Sequence, residues 1–215
     1  MRFFEIYWKI YLHFNFHIYN TYNLLPLKIF MIYLIPTDTC YWIACEITDS
    51  KSYEKVYSIK KRDWNKPLAI MVESFDWLKK YTTLNAEQIE FLENYKNPFT
   101  IITDCDSIKH MLQFEDEEMK FDNKEVYEKI AFRVAHNKEQ KNLIKKIWPI
   151  FLTSANISNQ PEIYESEELE NVFEYFINKW TIKIIWEQNP EKKSKASDIF
   201  EFTWESCNIE YVRKN

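Results

Sequence analysis

Short apolar runs alternate with amphipathic segments along most of this chain. MIYLI at 31–35 is β-branched and aromatic, predicts a buried strand, and is ended by Pro36. IACEI at 43–47 predicts a second strand, after a polar loop at 37–41. Helical spacing at Tyr53, Val56, Tyr57 and Lys60 predicts a helix over 50–61 that delivers the basic KKRDWNK stretch at its C-terminal end, where cations complement the helix dipole. Beyond Pro67, PLAIMV predicts a strand, 74–81 and 85–95 predict helices, and FTIIT at 99–103 a further strand. Residues 106–127 are charged and irregular, and the acidic run EDEE at 115–118 is most simply a solvated face. IAFRV at 130–134, PIFLT at 149–153, TIKII at 181–185, SDIFEF at 197–202 and IEYVR at 209–213 complete the strands, with helices over 137–147 and 165–178. Strands alternating with helices predict an α/β fold, whose chemistry sits in loops at strand ends.

Composition narrows the class. At 215 residues and 46% hydrophobic content the chain can form one domain with a continuous core. A net charge of −5 argues against a broad electrostatic footprint for nucleic acid and leaves room for a local basic pocket. Cys40, Cys45, Cys105 and Cys207 have neither CxxC spacing nor the density of a disulfide framework, and read as reduced thiols in a cytosol. His13, His17, His110 and His136 form no metal-ligand pattern, and no glycine-rich phosphate loop is present. No apolar run reaches the roughly 20 residues of a membrane span.

Residues 1–30 are aromatic but broken by Glu5, Lys9, His13, Asn15, His17, Asn20 and Asn23, with no clean helical face. They read as an extension outside the fold, with a domain over 31–215 and Met31 as the biological start. Glycine is absent altogether, where average usage of about 7% would give roughly 15 residues. Positions needing positive φ must therefore be filled by other side chains.

Three polar segments lie at strand or helix ends: PTDT at 36–39, KKRDWNKPL at 60–68 and TSANIS at 153–158. On spacing alone, Lys60, Arg62 and Lys66 read as a solvated helix end, Thr37 and Asp38 as a turn or helix cap, and an Asx or Ser turn explains Ser154 and Asn156 as well as ligand binding does. In order and spacing, however, the three segments resemble the YrdC-like family of threonylcarbamoyl-AMP synthases, with its PTDTVYGL-type loop, its KxR followed by NKPL, and its S-x-N inside TSANxSG. Asn97-Pro98-Phe99-Thr100, the strand at 130–134 and Ala196-Ser197-Asp198-Ile199 extend the resemblance to about 31–213.

The resemblance implies a twisted mixed sheet flanked by helices, with a concave ligand cavity. It implies an enzyme making L-threonylcarbamoyladenylate and pyrophosphate from L-threonine, bicarbonate and ATP, with Mg2+ accompanying ATP. The product would feed a threonylcarbamoyl transferase machinery that modifies tRNA, the tRNA itself being a weak or indirect partner. By the same resemblance Lys60, Arg62, Lys66, Thr100, Ser154, Asn156 and Arg213 face ATP, Lys60 and Arg62 being catalytic, while Thr37, Arg133 and Ser197 face threonine. Asp38 orders the loop or approaches the metal. Such a reaction needs no enzyme nucleophile; it needs positioning and cations against a developing phosphate charge. Replacement of Lys60, Arg62, Ser154 or Asn156 by alanine is expected to spare folding.

Two other readings stand beside this one: a non-catalytic module binding double-stranded RNA, and a paralogue with altered substrate choice. Met71 stands where many relatives carry histidine, and Asp104 where some carry a basic residue. Family glycines are replaced by Lys61, Asn97 and Asn159. Trp42, Trp148 and Trp204, and in looser register Trp186, also fall at family glycine positions, where an indole would overpack. That coincidence is expected if UGA codons read as glycine in the organism are written here as tryptophan.

Overall fold

The computed structural model describes residues 31–108, 128–147, 150–178, 182–184, 196–203 and 206–215. Residues 1–30, the acidic run at 115–118, His110 and the tryptophans at 148, 186 and 204 lie outside the described residues.

In chain order the elements are β1 (Ile32–Pro36), β2 (Tyr41–Glu46), α1 (Ser50–Lys60), β3 (Ala69–Val72), α2 (Phe75–Tyr81), α3 (Ala86–Asn94), β4 (Phe99–Thr103), β5 (Ile130–Val134), α4 (Lys138–Ile147), β6 (Ile150–Ser154), α5 (Ser166–Asn178), β7 (Ile182–Ile184), β8 (Asp198–Phe202) and β9 (Ile209–Arg213). The strands form one mixed sheet in the order β7-β1-β2-β6-β3-β5-β4-β8-β9. β1 and β7, β3 and β5, and β4 and β8 pair in parallel, and the remaining neighbours are antiparallel. The predicted α/β alternation is therefore the fold, a large mixed sheet flanked by helices. Among the described residues no helix is long and apolar enough to cross a membrane.

Helix ends follow local chemistry. The Asp49 carboxylate accepts from the Ser52 amide at 3.1 Å and starts α1, and Ser74 caps α2 through the Trp77 amide at 3.2 Å. Asn85 and Gln88 form a reciprocal capping box on α3. Lys61 ends α1 in the left-handed region at φ 50°, and Asn159 adopts φ 68°. These are two of the three positions where a residue other than tryptophan replaces a family glycine. Asn97, the third, is not among the positive-φ residues of the described chain, and neither is Trp42.

Strand alternation distributes side chains to two faces. Ile32, Leu34, Ile43, Cys45, Ile70, Val72, Ile130, Phe132 and Phe151 pack in one large cluster with residues of α1, α2, α3 and α5, such as Val56, Leu78, Leu92 and Phe173. Their neighbours Ile35, Trp42, Ala44, Met71, Ile150 and Leu152 form a smaller cluster with Leu143 and Ile144 of α4. Beyond those apolar residues, the α4 side also receives the polar residues that matter below. The second strand begins at Tyr41 rather than at 43, because Pro36 and Ile35 pair directly with Tyr41 and Trp42. The turn between β1 and β2 is thereby shortened to Thr37–Cys40.

Candidate active site

Register places most of the singled-out residues on the α4 side. Trp42 lies between Ile35 and Ser154, Met71 pairs with Arg133, and Ile199 pairs with both Thr100 and Arg213. Three groups result, and the indole of Trp42 lies between two of them.

The first group joins the end of α1 to the turn after β6. Lys60 is buried, and its Nζ donates to the Ser154 carbonyl, to the Asn156 carbonyl at 2.7 Å and to Asn156 Oδ1 at 3.1 Å. An ammonium has three protons, and these three acceptors match them. The Lys60 carbonyl in turn accepts from the Ser158 amide at 2.8 Å. Ser154 Oγ donates to Asn156 Oδ1 at 2.6 Å, and Asn156 Nδ2 donates to the Gln160 carbonyl at 2.6 Å. Arg62 Nε and Nη2 hold the Lys66 and Pro67 carbonyls at 3.0 and 2.9 Å, fixing the loop in which the Lys66 side chain stands exposed. Burial, then the nearby Arg62 charge, push the Lys60 ammonium from its ordinary 10.5 down to about 7, against an opposing influence of Cys40 and Glu162.

The second group is the β1–β2 turn. Thr37 Oγ1 donates to the Cys40 carbonyl at 2.8 Å and lies 3.1 Å from Thr39 Oγ1, which accepts from Trp42 Nε1 at 3.1 Å. Arg133 is buried; its Nη2 pairs with Asp38, its Nη1 donates to the Phe99 carbonyl at 2.9 Å, and its guanidinium lies 5.0 Å from the Trp42 ring centroid. Burial pushes Arg133 downward, and Asp38 opposes that shift. Asp38 thus faces a cation within the protein and orders the loop. Burial also raises the Cys40 thiol to about 11, so it is neutral near pH 7 and no thiolate stands in the turn.

The third group gathers Thr100, Ser197 and Arg213. Thr100 Oγ1 and Ser197 Oγ are 3.1 Å apart, and Arg213 Nη2 donates to the Ser197 carbonyl and hydroxyl at 2.8 and 3.3 Å. The resemblance divides these three between ATP and threonine, whereas the structure makes them one cluster. Its flank is the buried Asp198, which accepts from Tyr95 and Asn97 side chains and the Asn215 amide. Burial would raise its carboxyl, but those hydrogen bonds outweigh burial and hold it below its ordinary value. Spacing gave no sign of the Asp38–Arg133 pair or of Asp198, because both depend on contacts between distant strands. Met71 lies buried beside Arg133 with a thioether that offers no strong polar contact. Asp104 sits at the far end of β4, where its carbonyl accepts from the Thr83 amide at 3.3 Å.

A family profile described as Telomere recombination, covering Sua5, YciO and YrdC proteins, matches residues 31–214. The chain belongs to this family. A Methanocaldococcus jannaschii protein named as a threonylcarbamoyl-AMP synthase is 36% identical over 72 residues, covering 33% of this chain and 35% of that protein. The threonylcarbamoyl-AMP synthase of Mus musculus is 26% identical over 141 residues, covering 65% of this chain and 46% of the mouse protein. The chain thus spans less than half the length of either relative. Among solved structures, Sua5 of P. abyssi complexed with L-threonine shares the fold at TM-score 0.62 and 19% identity, over 85% of this chain and 49% of that one. YciO of E. coli does so at TM-score 0.61 and 17% identity, over 85% and 82%.

Proposed function

We propose that this chain makes L-threonylcarbamoyladenylate. Threonine's amine and bicarbonate give a carbamate with loss of water. The carbamate oxygen attacks the α-phosphorus of ATP, and pyrophosphate leaves with the electron pair of the broken P–O bond. The observation that carries the reading is the closure of the Lys60 helix end onto the Ser154–Asn156 turn, beside a second cationic group at Arg133. Each supplies positive charge where an anion must be held, and the names of the curated relatives agree with this use.

Lys60 and Arg62 neutralise the triphosphate in this scheme, with the exposed Lys66 reaching its outer oxygens. Lys60 must release one of its three acceptors to touch a phosphate, although its charge acts through space before that exchange. Ser154 Oγ can turn from Asn156 to the nucleotide. Thr37 and Arg133 orient threonine, with Ser197, Thr100 and Arg213 alongside. Magnesium would come with ATP rather than reside on the protein, since no group of three carboxylate, histidine or cysteine side chains fit to hold a metal occurs among the described residues. The chemistry that magnesium supplies there is neutralisation of the leaving pyrophosphate.

Purified protein given ATP, bicarbonate and labelled threonine is expected to release pyrophosphate only when threonine is present. Absence of that release, with tight binding of double-stranded RNA instead, would establish the binding-module reading.

Ser154→Ala is expected to weaken nucleotide binding with a small change in melting temperature, since its hydroxyl serves one neighbour. Asn156→Ala is expected to lose both affinity and stability. Its amide accepts from Lys60 and Ser154 and donates to Gln160, so the earlier expectation that its loss spares folding is revised. Thermal melts with and without ATP separate the two effects.

The Lys60 ammonium carries a pH signature. With its folded pKa depressed to about 7, the penalty for burying its charge is complete below that pH and is relieved as pH rises toward 10.5. A bound triphosphate favours the charged form and restores a higher pKa. ATP binding near pH 8 is therefore expected to take up most of one proton, roughly the fraction unprotonated in the free protein, and to weaken as pH rises. Calorimetry in buffers of different ionisation enthalpy measures that uptake. A value of zero between about pH 7 and 9 would remove Lys60 from the phosphates.

A further inference from the structure

We propose that Gln140, the third residue of α4, is a positioning residue that fixes the β1–β2 turn for the amino-acid substrate. The inference rests on the threonine role proposed above for that turn.

Gln140 is buried, 3% exposed, although an ordinary helix-surface glutamine would be solvated. Both ends of its side-chain amide are engaged. Oε1 accepts from the His136 amide at 2.7 Å and, more distantly, from the Asn137 amide at 3.5 Å. The Gln140 backbone amide in turn donates to Asn137 Oδ1 at 2.9 Å, so the pair caps the start of α4. Nε2 then crosses to the Pro36 carbonyl at 2.9 Å, 104 residues away in sequence. Pro36 immediately precedes Thr37, and the held carbonyl belongs to the planar peptide that carries the Thr37 amide, so the bond fixes the plane entering the turn.

The turn is held from three directions. Arg133 of β5 takes Asp38, Trp42 of β2 takes Thr39, and Gln140 of α4 takes Pro36. Only the last of these three reaches the backbone ahead of Thr37, at the Pro36 carbonyl where the β1–β2 pairing ends. The molecule contains a control for this device. Gln88 is likewise 4% exposed, caps α3 with Asn85, and extends Nε2 to the Ser206 carbonyl at 3.1 Å, in the β8–β9 connection. The chemistry is the same at both glutamines, and only Gln140 touches the turn.

Gln140→Glu keeps shape and the acceptor for His136 while deleting the donor to Pro36; Gln140→Met deletes both. Gln88→Glu removes the equivalent donor away from the site. Amide exchange followed by mass spectrometry, together with kinetics, is the test on the full chain. The expected result for Gln140→Glu is faster exchange confined to 36–40 and a threonine KM raised about tenfold, the order of one lost hydrogen bond. ATP KM and kcat should stay near wild type, and Gln88→Glu should leave threonine KM unchanged. Unchanged exchange at 36–40 overturns the proposal, as does faster exchange spread equally over all elements in both Gln140 variants, or an equal rise in threonine KM in Gln88→Glu. If wild-type protein releases no pyrophosphate, the synthase reading fails. The hold of Gln140 on the turn is then decided by exchange at 36–40 and by the threonine-induced shift in melting temperature.

Discussion

Arg62→Ala and Lys60→Ala are each expected to lower threonine-dependent pyrophosphate release by about 10² to 10³, the usual cost of deleting one charge aimed at a reacting centre. The two variants should differ in a second measurement. Arg62 is partly exposed and its donors serve two loop carbonyls, so its loss leaves groups that water can reach. Lys60 is buried, and its removal strands the Asn156 carbonyl and takes one donor each from the Ser154 carbonyl and Asn156 Oδ1, which keep the Asn156 amide and the Ser154 hydroxyl. A stranded buried acceptor costs about 1–3 kcal/mol, so Lys60→Ala should melt well below wild type, contrary to the expectation from sequence that folding is spared. Lys60→Arg retains charge but cannot place three donors on the same acceptors, because its guanidinium is planar. It should recover part of the stability and little of the rate. Wild-type kinetics in Arg62→Ala would make the basic cluster a helix-end surface.

The sequence carried the fold far because its strands and helices obey different periods. β-branched runs bounded by proline marked β1, β3 and β4, and the 3.6-residue spacing of α1 survived as the buried set Tyr53, Val56, Tyr57 and Lys60. Strand order was not legible, since β6 inserts between β2 and β3 from more than 75 residues downstream and period alone carries no such information. Motif order brought out Lys60, Ser154 and Asn156, which do meet. It could not say that Lys60 would be saturated by carbonyls, because those carbonyls belong to the backbone of whatever residues occupy the turn. Gln140 and Asp198 were missed for a related reason: a buried glutamine or aspartate looks like a surface residue until the distant strand that covers it is known. Lys61 and Asn159 are the opposite case, where a missing glycine correctly marked a left-handed backbone.

Trp42→Gly is expected to destabilise the fold by about 3–5 kcal/mol, the range for truncating a large buried aromatic side chain. This reverses the expectation that an indole at a family glycine position overpacks. Trp42 is inside β2, outside the positive-φ set, paired with Ile35 and Ser154 and only 8% exposed. Its Nε1 satisfies Thr39, and its ring lies beneath the Arg133 guanidinium. Glycine would leave a void lined by Cys40, Met71 and Arg133 and would add backbone freedom to the strand. Losing the Nε1 bond to Thr39 also releases one of the three holds on the turn, so threonine should bind more weakly to Trp42→Gly even as the protein melts earlier. Denaturant unfolding and threonine titration of the two proteins measure the two effects separately. A rise in stability would restore the overpacking argument, and tighter threonine binding would make the indole an obstruction rather than a hold on the turn. The codon at position 42 then acquires physical meaning: if it is UGA read as glycine, the natural protein is the less stable form and lacks the indole that holds Thr39 and packs under Arg133.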